Sequence, residues 1–242
     1  MVNQQPFSFQ PLLKQYGAAL FSLVFPNLCL ICACHLLKHE KGLCRICASR
    51  LPQTRFHELK GNAVERVFWG RVDIAHATSY MFYRKGEHAQ KILYGIKYKG
   101  NRELGEEMGR LLGEALLQAS WITAIGLVVP VPLHPRKQRI RGFNQSEVIV
   151  RGLSQCLNIP YSNDVLVRLS FTSTQTRKTR YERYQNMEGV FAVKNAALLE
   201  GKHVLLVDDV LTTGSTVEAC VQEILKVPGT AVSVATLAFA AM

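Results

Sequence analysis

No apolar run in this 242-residue sequence approaches the ~20 residues that a membrane-crossing helix needs. Gly17–Phe25 (GAALFSLVF) has the apolar character of a signal-peptide core. A lone Lys14 precedes it, however, and Pro26-Asn27-Leu28 offers no small-residue cleavage site. The expectation is no stable membrane span. Leu12, Leu13, Tyr16, Leu20, Leu23 and Val24 instead share one face of an amphipathic lead helix within residues 1–28. Acidic residues are scarce, 18 against 29 Lys and Arg, for a net charge of +11. That imbalance points to an anionic partner, with a mere aid to solubility as the bland alternative. The cysteine count is seven, so at least one thiol is left over from any full set of disulfides. A reducing cytoplasm therefore fits better than secretion.

What is present divides into three stretches without an internal repeat. After the lead come the cysteines, in residues 29–52. A polar connector containing Gly61-Asn62 follows, and the main domain occupies 72–242. In that domain, strand patterns at Ala77–Tyr83, Leu127–Val131, Val190–Val193, Val204–Val207 and Val232–Phe239 alternate with helical spacing. The helices are predicted at His88–Tyr98, Glu103–Ala119, Ser146–Leu157 and Val217–Lys226. Leu169–Gln185 is polar, rich in Thr and Arg, and reads as a loop for much of its length. Val204–Val207 is apolar throughout, as a central parallel strand covered on both faces would be. The expected fold class is therefore α/β with a parallel sheet.

The sharpest motif runs from His203 to Val217, HVLLVDDVLTTGSTV. An apolar strand ends at the carboxylates Asp208 and Asp209, and a turn of Thr212, Thr213, Gly214, Ser215 and Thr216 opens a helix. In open α/β sheets ligands bind where strands end. A helix N-terminus offers N–H groups and a positive dipole end to an anion. Two acids beside a phosphate make sense where the ligand also presents hydroxyls or a metal. The rival phosphate motif GxxxxGK[ST] is absent, because no lysine precedes the Ser/Thr, which disfavours a nucleoside-triphosphatase loop. The bland reading is a helix cap with the aspartates holding a turn.

VLLVDDVLTTGST resembles the ribose-5-phosphate loop of the type I phosphoribosyltransferases. The resemblance implies that Asp208 and Asp209 hold the ribose hydroxyls of phosphoribosyl pyrophosphate, directly or through Mg²⁺. Thr212–Thr216 would take the 5′-phosphate. It further implies transfer at the ribose anomeric carbon with loss of pyrophosphate, a step served mainly by positioning and charge neutralisation. The acceptor is not legible.

Three basic clusters could meet the same anion. They comprise Lys91, Lys97, Lys99 and Arg102; then Arg136, Lys137, Arg139 and Arg141; and Arg177, Lys178, Arg180 and Arg183. A solvated face or a nucleic-acid groove are the alternatives. Lys97-Tyr98, Val129–Pro132, Arg141–Gln145, Thr174–Thr176, Arg183 and Asn186, together with the Asp208–Thr216 loop, resemble the ComF family of competence-associated phosphoribosyltransferase-like proteins. That resemblance implies a type I phosphoribosyltransferase-like sheet flanked by helices, with a small N-terminal zinc-ribbon-like module. It also implies a role with incoming single-stranded DNA in natural transformation, alongside a helicase. By analogy Leu133–Arg136 lies at the pyrophosphate loop and Phe171–Asn186 is the mobile loop. The family's first cysteines usually lie near the N-terminus, whereas 28 residues precede them here. A non-catalytic DNA-binding factor and a nucleotide-binding regulator remain alternatives to an enzyme.

Cys29-Leu-Ile-Cys32 and Cys44-Arg-Ile-Cys47, eleven residues apart, form two CxxC knuckles. Cys29, Cys32, Cys44 and Cys47 suit a structural, four-thiolate Zn²⁺ site, with a redox pair as the alternative. Cys34, His35 and His39 lie between the knuckles as substitute ligands.

Overall fold

The computed structural model describes residues 26–169 and 189–240. The lead helix expected within 1–28 falls almost entirely outside them, as do Arg183 and the rest of the Thr/Arg-rich segment 170–188. Two compact units divide the chain between Ser49 and Arg50.

In the first unit the knuckles are closed by tight backbone turns. Ala33 and Gly42 have φ of 57° and 73°, the left-handed region that lets a chain reverse sharply. Cys29 N donates to Cys34 O at 2.8 Å, and Leu30 N to Gly42 O at 2.9 Å. Helix α1 (Arg45–Ser49) carries the last cysteine.

The second unit contains, in chain order, α2 (Ala63–Arg66), β1 (Ala77–Phe82), α3 (His88–Tyr98), α4 (Arg102–Leu116), β2 (Leu127–Pro130), α5 (Pro135–Arg141) and α6 (Gln145–Leu157). After these come β3 (Leu166–Arg168), β4 (Phe191–Val193), β5 (His203–Leu211), α7 (Ser215–Ile224) and β6 (Ala231–Phe239). Four strands form one sheet in the order β1-β6-β5-β2, every pair parallel. The small β3–β4 pair is antiparallel. Val204–Val207 of β5 are fully buried, between Leu127–Pro130 on one side and Val232–Ala235 on the other. An unbroken apolar run at the sheet centre is what burial of both faces demands.

Helices flank the sheet. Val217, Val221 and Ile224 of α7 join Leu127, Val129, Val204 and Leu206 in one buried cluster. Helices α4 and α6 press backbone to backbone: a Cβ on Gly109 would overlap the Ile149 carbonyl, and one on Gly152 the Glu106 carbonyl. Only glycine permits that approach.

The stretch expected as a connector packs into the second unit, which starts at Arg50 rather than at 72. Thr54 N donates to Tyr80 O at 3.0 Å and Phe82 N to Pro52 O at 2.9 Å. Buried Asn62 caps α2 through Val64 N and Glu65 N, and its Nδ2 donates to Phe56 O, Leu59 O and Ala77 O. Phe68 is fully buried. Three further elements differ from the sequence reading. β5 continues past Val207 to Leu211, because Val210 and Leu211 keep pairing with Ala238 and Phe239. Leu133–Arg136 leads into α5 rather than staying a loop: His134 caps it, Pro135 sits at its start and Gly142 (φ 80°) ends it. β3 was hidden in a stretch of three residues. Among the described residues, no helix is long and apolar enough to cross a membrane.

Candidate functional site

The parallel ladder carries Asp208 and Asp209 in the second half of β5, and three residues after that strand ends at Leu211 the chain reaches Gly214 and turns into α7. Gly214 makes that turn with φ 77°, and its carbonyl accepts from Glu218 N at 2.8 Å. Thr213 Oγ1 and Ser215 Oγ lie 3.2 Å apart, one donating to the other. Arg71 holds the turn from behind. Its Nη1 donates to Thr213 O at 2.8 Å and Val67 O at 3.0 Å, while its Nη2 pairs with buried Glu218. Arg71 and Glu218 had no signal in the sequence, since they lie 147 positions apart.

The two acids have different surroundings. Ser146, at the start of α6, donates its hydroxyl to Asp208 Oδ1 at 2.9 Å, and Asp209 N donates to the same oxygen at 2.9 Å. Ser146 is placed by Asn144, which caps α6 through Ser146 N at 3.2 Å and donates to Val131 O at 3.0 Å. Burial, and next the charge of Asp209, push the Asp208 carboxyl up to about 7. Asp209 is buried, and Lys97 Nζ lies 3.0 Å from its Oδ1 and 2.9 Å from its Oδ2. The pair thus carries a full counter-charge on one member only. Such a site favours a cation or hydroxyl donors at Asp208.

Of the basic residues singled out above, Lys97 reaches the acid pair directly. Lys137 and Arg141 of α5 share its neighbourhood, together with Arg168 of β3. Burial, followed by the charges of Arg168, Arg141 and Lys97, pushes Lys137 below its ordinary value. Arg168 is lowered by burial too, with Cys220 and Asp208 opposing, and it was missed because a lone Arg in a short strand has no pattern. Arg136 and Arg139 are exposed on α5, and Arg183 lies outside the described residues.

In the first unit the sulfur atoms of Cys29, Cys32, Cys44 and Cys47 all lie within 4.8 Å of one another, with Cys32 Sγ and Cys44 Sγ at 3.7 Å. Four thiolates around tetrahedral Zn²⁺ at ~2.3 Å would sit roughly 3.8 Å apart. Cys44 N and Cys47 N donate to the sulfurs of Cys29 and Cys44, each at 3.4 Å, as amides do around metal-bound thiolates. The cluster is compatible with structural zinc, and its four members are the cysteines of the two knuckles. Cys34, His35 and His39 are not part of it.

Comparison with known proteins agrees with this geometry. Residues 144–241 match the phosphoribosyl transferase domain. The chain is 29% identical over 229 residues to the DNA utilization protein YhgH of Escherichia coli K12, covering 88% of this chain and 96% of that protein. It is 33% identical over 131 residues to Competence protein F of Haemophilus influenzae, covering 52% and 56% of the two chains. Its identity to Competence protein ComFC of Bacillus subtilis is 36% over 110 residues, covering 46% and 42%. The chain is thus similar over most of its length to a DNA utilization protein and over about half of it to two competence proteins, and it carries a phosphoribosyl transferase domain at residues 144–241.

Proposed function

We propose that the second unit binds phosphoribosyl pyrophosphate, with Asp208 and Asp209 on the ribose hydroxyls and residues Thr212–Thr216 around the 5′-phosphate. The observation that supports this most is the unequal acid pair, directly before a glycine-started helix. Lys97 neutralises Asp209, while Asp208 holds hydrogen bonds from Ser146 Oγ and Asp209 N on one oxygen. The carboxylate oxygens of the pair are hard donors suited to Mg²⁺, and Mg²⁺ held there would offset the charge of the ligand's diphosphate. Lys97, Lys137, Arg141 and Arg168 form the cationic side of the same site. The chemistry that fits is displacement at the anomeric carbon, in which these residues position the ligand and stabilise the departing pyrophosphate. A pyrophosphate-release screen with phosphoribosyl pyrophosphate, Mg²⁺ and a panel of bases and amines tests this. Release that depends on one acceptor supports the reading, and no release with any acceptor removes the transferase step.

The raised Asp208 carboxyl gives a pH signature. Near a pKa of about 7, ionisation is largely lost by pH 6 and nearly complete by pH 8, about a tenfold change in the ionised fraction. In metal-free buffer, ribose 5-phosphate should therefore gain affinity relative to inorganic phosphate as pH rises. Asp208→Asn should flatten that gain, which calorimetry at the two pH values would read.

We also read the cysteine cluster as a zinc site that stabilises the small unit. Elemental analysis of protein purified without added metal should find about one zinc per chain. Cys44→Ser should lose zinc and first-unit stability while ribose 5-phosphate binding in the second unit persists. A mapped disulfide within the cluster would contradict this reading.

The names of the relatives concern DNA utilization and competence. We take this chain to act in the same setting, on single-stranded DNA during uptake. The net charge of +11 supports an anionic partner of that kind.

A further inference from the structure

Helix α3 ends at the acid pair, yet its outward face is not used by the ribose-phosphate site. Lys91, Tyr94 and Tyr98 are exposed there at helical spacing, with Tyr94 and Tyr98 53% and 64% accessible. Their ring centroids lie 5.1 Å apart, tilted by 37°. Arg141, from the end of α5, places its guanidinium carbon 5.5 Å from the Tyr98 ring centre, within cation–π range. Lys99, just past α3, and Arg102, at the start of α4, are exposed, and the Arg102 guanidinium carbon lies 5.0 Å over the Phe143 ring. Between the two tyrosines in sequence, Lys97 reaches inward to Asp209.

Two exposed tyrosines alone are ordinary on a protein surface. Here they are set among cations, one of which stacks on a ring and restrains it. That combination suits a chain of phosphates carrying unstacked planar bases. A duplex keeps its bases stacked on one another and would offer this face its phosphates alone. A second copy of this strongly basic chain would bring like charge to the same face.

We propose that the Tyr94–Tyr98 stripe of α3, with Arg141, is a base-stacking platform for single-stranded DNA that leads the strand past the acid pair. It rests on the DNA-linked part of the reading above and not on the phosphoribosyl part. Anisotropy of a labelled oligothymidylate of about 20 nucleotides, at one fixed salt concentration, tests it. Tyr94→Ala with Tyr98→Ala should weaken binding about tenfold or more, since stacking contributes roughly that much per base. Tyr94→Phe with Tyr98→Phe should keep it, and the salt slope should not change, because no charge is removed. Ribose 5-phosphate binding, measured on the same preparations, should be equal in all three proteins. Unchanged affinity of the alanine variant overturns the platform. So does equal loss of duplex binding, or a wild-type dimer that the alanine variant disperses. Wild-type protein that fails to bind the strand removes the DNA-linked reading as well, while intact ribose 5-phosphate binding would leave the phosphoribosyl reading standing.

Discussion

In an Asp208→Asn, Asp209→Asn variant, ribose 5-phosphate should lose about tenfold or more in affinity, while bare phosphate binds no worse than before. An asparagine oxygen can still accept from Ser146 Oγ, which now donates to Asp208 at 2.9 Å, so the helix α6 contact survives. What disappears is negative charge. A hydrogen bond to a charged group contributes ~1.5–3 kcal/mol, and losing one at the ribose accounts for the tenfold figure. Lys97 then loses the carboxylate it holds at 2.9 Å. Its uncompensated charge at residue 209, three positions before the Thr212–Thr216 turn, should hold or strengthen the binding of a simple anion. The contrast in ligand preference, together with loss of any Mg²⁺ dependence, distinguishes this outcome from general damage. Titration calorimetry with the two ligands measures both.

Gly214→Val should abolish phosphate binding and lower the melting temperature as well. Gly214 has φ 77°, and a Cβ there would stand 2.7 Å from Val67 Cγ1 and 3.2 Å from Phe68 Cε1. Phe68 is fully buried, so it cannot swing aside into solvent. A β-branched residue held in the left-handed region costs on the order of 1–3 kcal/mol before any clash. For a domain of this size, about 2 kcal/mol corresponds to a fall of roughly 4–8 °C. Relief of the clash would tilt Thr213 away from Arg71, which grips its carbonyl at 2.8 Å. A variant that melts like the wild type and still binds phosphate would show that the turn is not the anion cradle.

The sheet was legible because its signal is local. Val204–Val207 form a continuous buried run, and the acids, glycine and helix start follow within nine residues of Val207. The cysteine quartet was equally visible from two CxxC units. The missed pieces depend on distant partners or lack a hydrophobic period. Helix α5 has one apolar interior residue, Ile140, and it is 79% exposed. No buried stripe therefore marks the helix, and its cap at His134 and stop at Gly142 carry the signal instead. Asn62 fell within the stretch expected as a polar connector, whereas its side chain bonds three carbonyls and caps a helix. Arg71, Glu218 and Ser146 matter through contacts that span 142, 147 and 62 positions. No spacing in the chain announces such pairs. The acid pair was placed at the strand's end, but its inequality required the structure. Only the fold brings Lys97 to Asp209 and leaves Asp208 with Ser146.

The central claim is that the Asp208–Thr216 segment recognises a phosphorylated ribose, and titration calorimetry of the full chain with phosphoribosyl pyrophosphate and Mg²⁺ tests it most directly. Saturable binding at or below millimolar ligand, weakened by removal of Mg²⁺ and by Asp208→Asn with Asp209→Asn, is the expected result. Wild-type protein that shows no saturable binding under these conditions would contradict it.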